Sequence, residues 1–179
     1  MADPVQSAPW GWRAAFVGLF ALLVFVRILP VGSFGGGWPA PDLLMCLCCA
    51  WVLRRPDYLP APLLAAVILT EDLLLMRPPG LWTAFMLLGT EFLRSRAAFA
   101  RELSFLAEWM MVAVVMGAML AGYHLVLGVT MVPQATAGPV LVLGIGSVIA
   151  YPAVVAATVF AFGLRKPATG EVDALGRRL

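Results

Sequence analysis

The chain has 179 residues, of which 62% are hydrophobic and only 12% are charged, a composition that excludes an ordinary soluble domain and is typical of a membrane protein. Several membrane spans of about 20 residues each would use nearly all of this length, so no separate globular domain is expected. The formal net charge of +2 gives no reason to expect a nucleic-acid partner, and none is predicted.

The sequence predicts an all-α polytopic membrane protein with six transmembrane helices between two cytoplasmic tails. The tails are residues 1–13 and 165–179, and the transmembrane domain is 14–164, with helices at about 14–29, 41–53, 60–76, 81–93, 104–129 and 140–164. The second and fourth helices are short for a hydrocarbon core of about 30 Å. Either flanking tryptophans and local thinning of the bilayer compensate, or one of the two is re-entrant.

The second and third predicted helices are interpreted as a membrane hairpin. The first of these apolar runs ends at residues 54–56, Arg-Arg-Pro, and the second ends at residues 77–80, Arg-Pro-Pro-Gly. Glu71 and Asp72 lie within the second run. An ionisable residue inside an apolar span is costly, and it therefore marks a functional-site hypothesis by default.

The last third of the chain carries three further signals. In residues 95–109 the apolar side chains of Phe99, Leu103 and Leu106 recur at helical spacing, with charged residues on the other positions. This pattern predicts an amphipathic helix at the membrane surface. Pro152 removes a helical hydrogen bond, so it should kink the sixth helix and free a carbonyl that a neighbouring helix or hydroxyl must satisfy. Small residues four apart predict close packing, within the molecule in preference to a dimer, at Ala113, Gly117, Ala121, Ala153, Ala157 and Ala161.

The basic residues set the predicted orientation. If both termini are cytoplasmic, ten of the twelve basic residues lie on the cytoplasmic side, Arg77 alone lies outside, and Arg27 lies within a span. The ten are Arg13, Arg54, Arg55, Arg94, Arg96, Arg101, Arg165, Lys166, Arg177 and Arg178. This asymmetry favours six spans over five.

The predicted topology sorts the buried polar residues into two layers, one near each membrane surface. The outer layer contains Arg27, Asp42, Glu71, Asp72, Arg77 and His124. The inner layer contains Glu91, Glu108, Arg54, Arg55, Arg94, Arg96 and Arg101. Each layer contains both signs, so pairing between opposite charges is the expected reason for their presence in an apolar chain.

The adjacent carboxylates of the third helix cannot share one partner, because neighbouring residues on a helix point about 100° apart. Asp72 is predicted to face the bundle and to pair with Arg27, which leaves Glu71 to the outer water or to another protein. A structural ion pair between the first and third helices is the preferred interpretation. A partner-binding contact and an ion or proton relay are the alternatives.

The inner layer has its own expected pairing. Glu91 has Arg94 at i+3 and Arg55 across a short loop, so it is predicted to cap the inner basic cluster. The cluster itself has two interpretations, which are attraction to anionic membrane lipid and docking of a cytoplasmic partner.

The sequence contains no pattern of catalytic residues or cofactor ligands. Cys46, Cys48 and Cys49 lie in one apolar run, and their spacing fits neither a disulfide framework nor a zinc site, so they are interpreted as small packing residues in a lipid-buried helix. The single histidine has no nucleophile beside it in sequence. No catalytic activity, metal or cofactor is predicted.

Four short motifs, in this order, carry a resemblance to a known family. They are Pro-Asp-Leu-Leu at 41–44, Trp-Val-Leu-Arg-Arg-Pro at 51–56, Glu-Asp-Leu-Leu at 71–74 and Pro-Gly-Leu at 79–81. Together they resemble MreD, the rod-shape-determining membrane protein of bacterial wall elongation, and the match is dense over about residues 39–96. The residues expected to bind partners or support the structure are Asp42, Arg54, Arg55, Pro56, Arg27, Glu71, Asp72, Glu91 and His124.

The resemblance implies a function and a runner-up. An MreD-like protein would be a non-enzymatic scaffold in the inner membrane that links MreB and MreC to RodA and a class B penicillin-binding transpeptidase. The family's six helices also resemble the substrate-binding subunits of energy-coupling-factor vitamin transporters. The alternative is therefore a small-molecule binding or transport subunit, with an outer polar pocket formed by Arg27, Asp72 and His124.

Overall fold

The computed structural model describes residues 9–29, 39–133 and 136–162. The predicted C-terminal tail and most of the predicted N-terminal tail lie outside these residues. Within them all regular secondary structure is helical, which confirms the all-α prediction. The elements are α1 (Pro9–Ile28), α2 (Leu43–Arg54), a 3₁₀ turn (Pro56–Tyr58), α3 (Ala61–Leu74), α4 (Leu81–Ser95), α5 (Ala97–Glu102), α6 (Phe105–Val129) and α7 (Ala137–Phe162).

Three of the described helices are long and apolar enough to cross a membrane: α1, α6 and α7. The helices α2, α3 and α4 have 12, 14 and 15 residues, which is short of the roughly 20 that a full span needs. The membrane character of the chain is therefore supported by three helices, and the count of six spans stays a prediction.

Helix α2 lies at the centre of the bundle. Every residue from Leu44 to Arg54 is buried, including the three free cysteines. The helix packs most extensively on α7 and then on α4, and it makes little contact with α3. The predicted hairpin of α2 and α3 is therefore wrong as a packing unit. A helix that is apolar on all sides can be enclosed by protein, whereas α3 has one buried face and packs it mainly on α4.

Helix α7 continues through Pro152, which has no N–H to donate to the carbonyl four residues earlier, and that carbonyl is bonded to another helix instead. Four residues earlier, the Val148 oxygen accepts a hydrogen bond of 2.8 Å from the indole Nε1 of Trp109 on α6. The prediction that a neighbouring helix satisfies the freed carbonyl is thus confirmed. This bond fixes the register between α6 and α7 in a region where apolar packing alone is tolerant of sliding.

The predicted role of the small residues in the last two helices is wrong for most of them. Ala113 is half-buried, but Gly117 and Ala121 on α6 and the alanines at 153, 157 and 161 on α7 are exposed on the surface of the bundle. The close approach inside the bundle is made elsewhere, between α4 and α6. A Cβ added to Gly122 would lie 2.5 Å from the Cε1 atom of Phe85, so this glycine is what admits the ring.

Candidate functional site

Asp42 anchors the first end of the central helix. Its carboxylate caps α2 by accepting a hydrogen bond of 3.1 Å from the backbone N–H of Met45, and its own N–H donates to the Ser147 hydroxyl on α7 at 2.7 Å. A carboxylate at a helix N-terminus satisfies an otherwise unpaired donor and interacts favourably with the helix dipole. Asp42 is only 4% exposed, so this cap lies inside the protein.

Two arginines hold the carboxylates at this end of α2. Arg27 Nη1 lies 3.1 Å from Asp42 Oδ2 and 3.0 Å from Glu71 Oε1, and Arg77 Nη1 lies 3.4 Å from the same glutamate oxygen. The cluster ties α1, α2 and α3 together. We call the four residues, Arg27, Asp42, Glu71 and Arg77, the Asp42-end cluster.

The predicted pairing of Arg27 with Asp72 is wrong, and so is the outward position predicted for Glu71, which is 2% exposed. Asp72 faces α4 instead: its Oδ2 atom accepts hydrogen bonds from the N–H groups of Gly80 and Thr83 and from the Thr83 hydroxyl, at 3.1, 3.2 and 2.8 Å. Gly80 adopts the left-handed conformation, with φ of +84°, that this turn requires. The two carboxylates do point to different partners. Asp72 faces the interior of the bundle, as predicted, and Glu71 is the one that meets Arg27.

A cavity of about 240 Å³ lies beside the Asp42-end cluster. The predicted pocket contained Arg27, Asp72 and His124; the first and last of these do line the cavity, but Asp42 takes the place of Asp72. The walls also include Arg77 and Trp82, whose ring centroid lies 5.8 Å from the guanidinium carbon. The remaining lining residues are Pro39, Leu120, Tyr123, Pro139, Val140 and Leu143.

The second end of α2 carries a buried ion pair. Arg54 Nη1 lies 3.2 Å from Glu108 Oε1 on α6, and the Tyr151 hydroxyl on α7 donates to the same oxygen at 3.0 Å. Arg54 is 4% exposed, and the other two residues are fully buried. A cation in the last turn of a helix also opposes the negative end of the helix dipole. This Arg54-end cluster therefore joins α2, α6 and α7.

The turn that follows α2 is held by a second arginine. Arg94 lies 3.0 Å from Glu91, as the i+3 spacing predicts, and it also donates to the carbonyl oxygens of Pro56 at 2.8 Å and Leu59 at 2.6 Å. Arg55 does not join this group; its guanidinium lies 5.6 Å from the ring centroid of Tyr58. Pro56 thus contributes through its backbone carbonyl and through the turn it begins.

Four residues that complete these contacts were missed at the sequence level. They are Thr83, Trp109, Ser147 and Tyr151. Each carries a hydroxyl or an indole N–H on a helix that is mostly apolar. The available signal was the rule that a polar group away from water needs a partner, which marks such residues as contacts to look for without naming the partner.

The Asp42-end cluster and the Arg54-end cluster hold the two ends of α2, about 18 Å apart along its 12 residues. Within the described ranges there is no group of three or more His, Cys, Asp or Glu side chains that could hold a metal ion. No family model, curated protein or solved structure matches the chain. The geometry of these two clusters is therefore the main guide to function.

Proposed function

We propose that the protein is a non-enzymatic scaffold of the bacterial inner membrane that acts in the cell-wall elongation complex, as the resemblance of residues 39–96 to MreD suggests. The observation that carries the proposal is that the charged residues of the motifs bind other groups of the same chain. Asp42, Arg54 and Glu71 form contacts within the chain at the two ends of a helix enclosed by protein, and Asp72 binds the turn between α3 and α4. Charged residues that pair with one another inside a core stabilise the fold and the surface around it, whereas a reaction needs groups that a substrate can reach.

The proposed topology has six crossings, with both termini and the Arg54 end of α2 on the cytoplasmic side. The short α2 is compatible with this topology because protein covers it along its length, so its backbone and its charged ends do not meet lipid. The partners implied are MreB on the cytoplasmic side, together with MreC, RodA and a class B penicillin-binding transpeptidase.

The outer surface of the bundle is suited to contacts with other membrane helices. Gly117 and Ala121 on α6 and Ala153 and Ala157 on α7 are exposed, and a Cβ added to Gly117 would meet no atom within 4 Å. Small residues let the backbone of a second helix approach closely, which is how membrane helices gain contact in the absence of a hydrophobic driving force. The exposed small residues thus support a scaffold role.

The cavity at the Asp42 end favours one second candidate, a small-molecule binding subunit similar to those of energy-coupling-factor transporters. Two features make it the weaker candidate. The volume of about 240 Å³ is below the range of about 300–1,000 Å³ common for ligand sites. In addition, Arg27, Asp42 and Arg77 already form salt bridges within the chain, whereas a ligand site needs polar groups that await the ligand.

The test is affinity purification of tagged protein from membranes of its own host. We expect MreC, RodA and the transpeptidase to be enriched with the wild-type chain. Gly117→Leu on α6 and Gly18→Leu on α1 form a matched pair, because both positions have open space around the added side chain. Loss of a partner from one variant alone would place the docking helix. Enrichment of an ATPase module or a small molecule, with no wall-synthesis protein, would overturn the scaffold proposal in favour of the transporter subunit.

A further inference from the structure

Four arginines near the Arg54 end of α2 have no acidic partner in the described part of the chain. They are Arg13, Arg55, Arg96 and Arg101, and none lies within 4 Å of a described carboxylate. Their neighbours Arg54 and Arg94 differ, since each is paired with a glutamate. We call the four unpaired side chains the arginine rim.

The rim residues surround one end of the bundle. Trp12, next to Arg13 at the start of α1, stacks on Tyr58 of the 3₁₀ turn with ring centroids 5.5 Å apart, and Arg55 lies over the same tyrosine ring. Helix α5, which ends beside Arg101, packs on α2 and α4. The start of α1, the 3₁₀ turn and α5 therefore place the rim around the Arg54 end.

Three of the four guanidinium groups lie over aromatic rings. The distances from the guanidinium carbon to the ring centroid are 5.1 Å for Arg13 over Trp10, 5.6 Å for Arg55 over Tyr58 and 5.5 Å for Arg96 over Phe92. A ring against its face orients a guanidinium and leaves the N–H groups at its edge free to bind an anion with two parallel hydrogen bonds.

Two rim residues also hold donors that need an acceptor. The Nε atoms of Arg13 and Arg101 are buried, and neither has a hydrogen-bond partner among the residues that the structure describes. A buried donor without an acceptor is costly, and both side chains are only half-buried, so a lipid oxygen that reached these donors would be held there. The rim thus combines positive charge, oriented guanidinium edges and unmet donors at one end of an apolar bundle.

We infer that the arginine rim binds the phosphate groups of anionic phospholipids. The neighbouring surface favours lipid over an acidic protein, because large apolar side chains are exposed at the same end: Trp10, Phe99, Phe105 and Leu106. Aromatic and aliphatic groups beside arginines match the headgroup boundary of a bilayer, where the rings enter the acyl region and the cations meet phosphate. The inference rests on the proposed membrane location and not on the scaffold role.

The test compares phosphatidylglycerol with phosphatidylcholine binding to the full chain in detergent, with native mass spectrometry used to count bound lipids. The variant Arg13→Gln/Arg101→Gln removes both unmet donors. The variant Arg177→Gln/Arg178→Gln is the matched control, since it removes the same charge from the end of the sequence. We expect the rim variant to bind phosphatidylglycerol roughly 25-fold more weakly than wild type, at about fivefold per arginine, with phosphatidylcholine binding unchanged.

A second rim variant, Arg55→Gln/Arg96→Gln, should lose affinity in the same direction, which protects the test if the first variant folds poorly. Soluble inorganic phosphate should not displace the lipid. Equal loss in the rim variant and the charge-matched control would show a bulk charge effect and overturn the inference. So would tighter binding of a hexaglutamate peptide than of phosphatidylglycerol, which would assign the rim to an acidic protein.

Discussion

Replacing Arg54 with methionine should destabilise the protein by about 3–5 kcal/mol, because it leaves the buried Glu108 carboxylate without its cation. The structure sets this size: Glu108 is fully buried, and its Oε1 atom lies 3.2 Å from the arginine and accepts a hydrogen bond of 3.0 Å from the hydroxyl of Tyr151. The Tyr151→Phe variant, which removes the hydroxyl that donates to this carboxylate, should cost about 1–3 kcal/mol.

The double variant Arg54→Met/Glu108→Leu isolates the interaction between the two side chains from the effects of each single replacement. Exchange of a buried ion pair for apolar residues of similar volume is often close to neutral, so the double variant should be more stable than Arg54→Met alone by about 2 kcal/mol or more. The assay is the free energy of unfolding in mild detergent, measured by reversible denaturant titration. If the loss of stability in the double variant equals the sum of the losses in Arg54→Met and Glu108→Leu measured singly, the direct pairing is refuted. A loss below about 1 kcal/mol for Arg54→Met would refute it as well.

The packing and backbone contacts give three further predictions. Gly122→Ala should lower stability by about 1–2 kcal/mol because the methyl group displaces a phenylalanine ring, whereas Gly117→Ala, on the same helix in open space, should be neutral or stabilising by up to about 1 kcal/mol; thermal unfolding of the two variants side by side checks both. Trp109→Phe should cost about 1–3 kcal/mol by leaving the Val148 carbonyl unpaired. In a Pro152→Ala background the same change should cost clearly less, since the restored N–H can bond that carbonyl; an equal cost in both backgrounds would contradict this account of the indole.

The sequence predicts the helical class and the long helices well, since α6 and α7 have continuous apolar runs and clear ends. It also predicts that a neighbouring helix satisfies the carbonyl freed by Pro152, because the requirement is local and has few solutions. Pairing across the bundle is harder. The 100° step between Glu71 and Asp72 shows that they differ in partner, but the rotation of α3 relative to its neighbours decides which one meets Arg27.

Helix α2 shows a second limit of sequence reasoning. A helix that is apolar on all sides can be buried either in lipid or in protein, because both environments exclude the same polar side chains. The central position of α2 depends on contacts with α4 and α7, which are distant in sequence. For the same reason the spacing of small residues on α6 and α7 did not reveal that they face outward, since spacing defines a stripe and not its direction.

The most direct test of the scaffold proposal is depletion of this protein in its host bacterium, combined with microscopy of newly inserted wall material labelled with a fluorescent D-amino acid. The proposal predicts that depleted cells lose rod shape and stop inserting label along the side wall before growth ceases. Re-expression of the wild-type chain should restore both properties. Normal rod shape and normal side-wall labelling after complete depletion, with loss of uptake of a small molecule, would contradict the scaffold proposal and favour the transporter subunit.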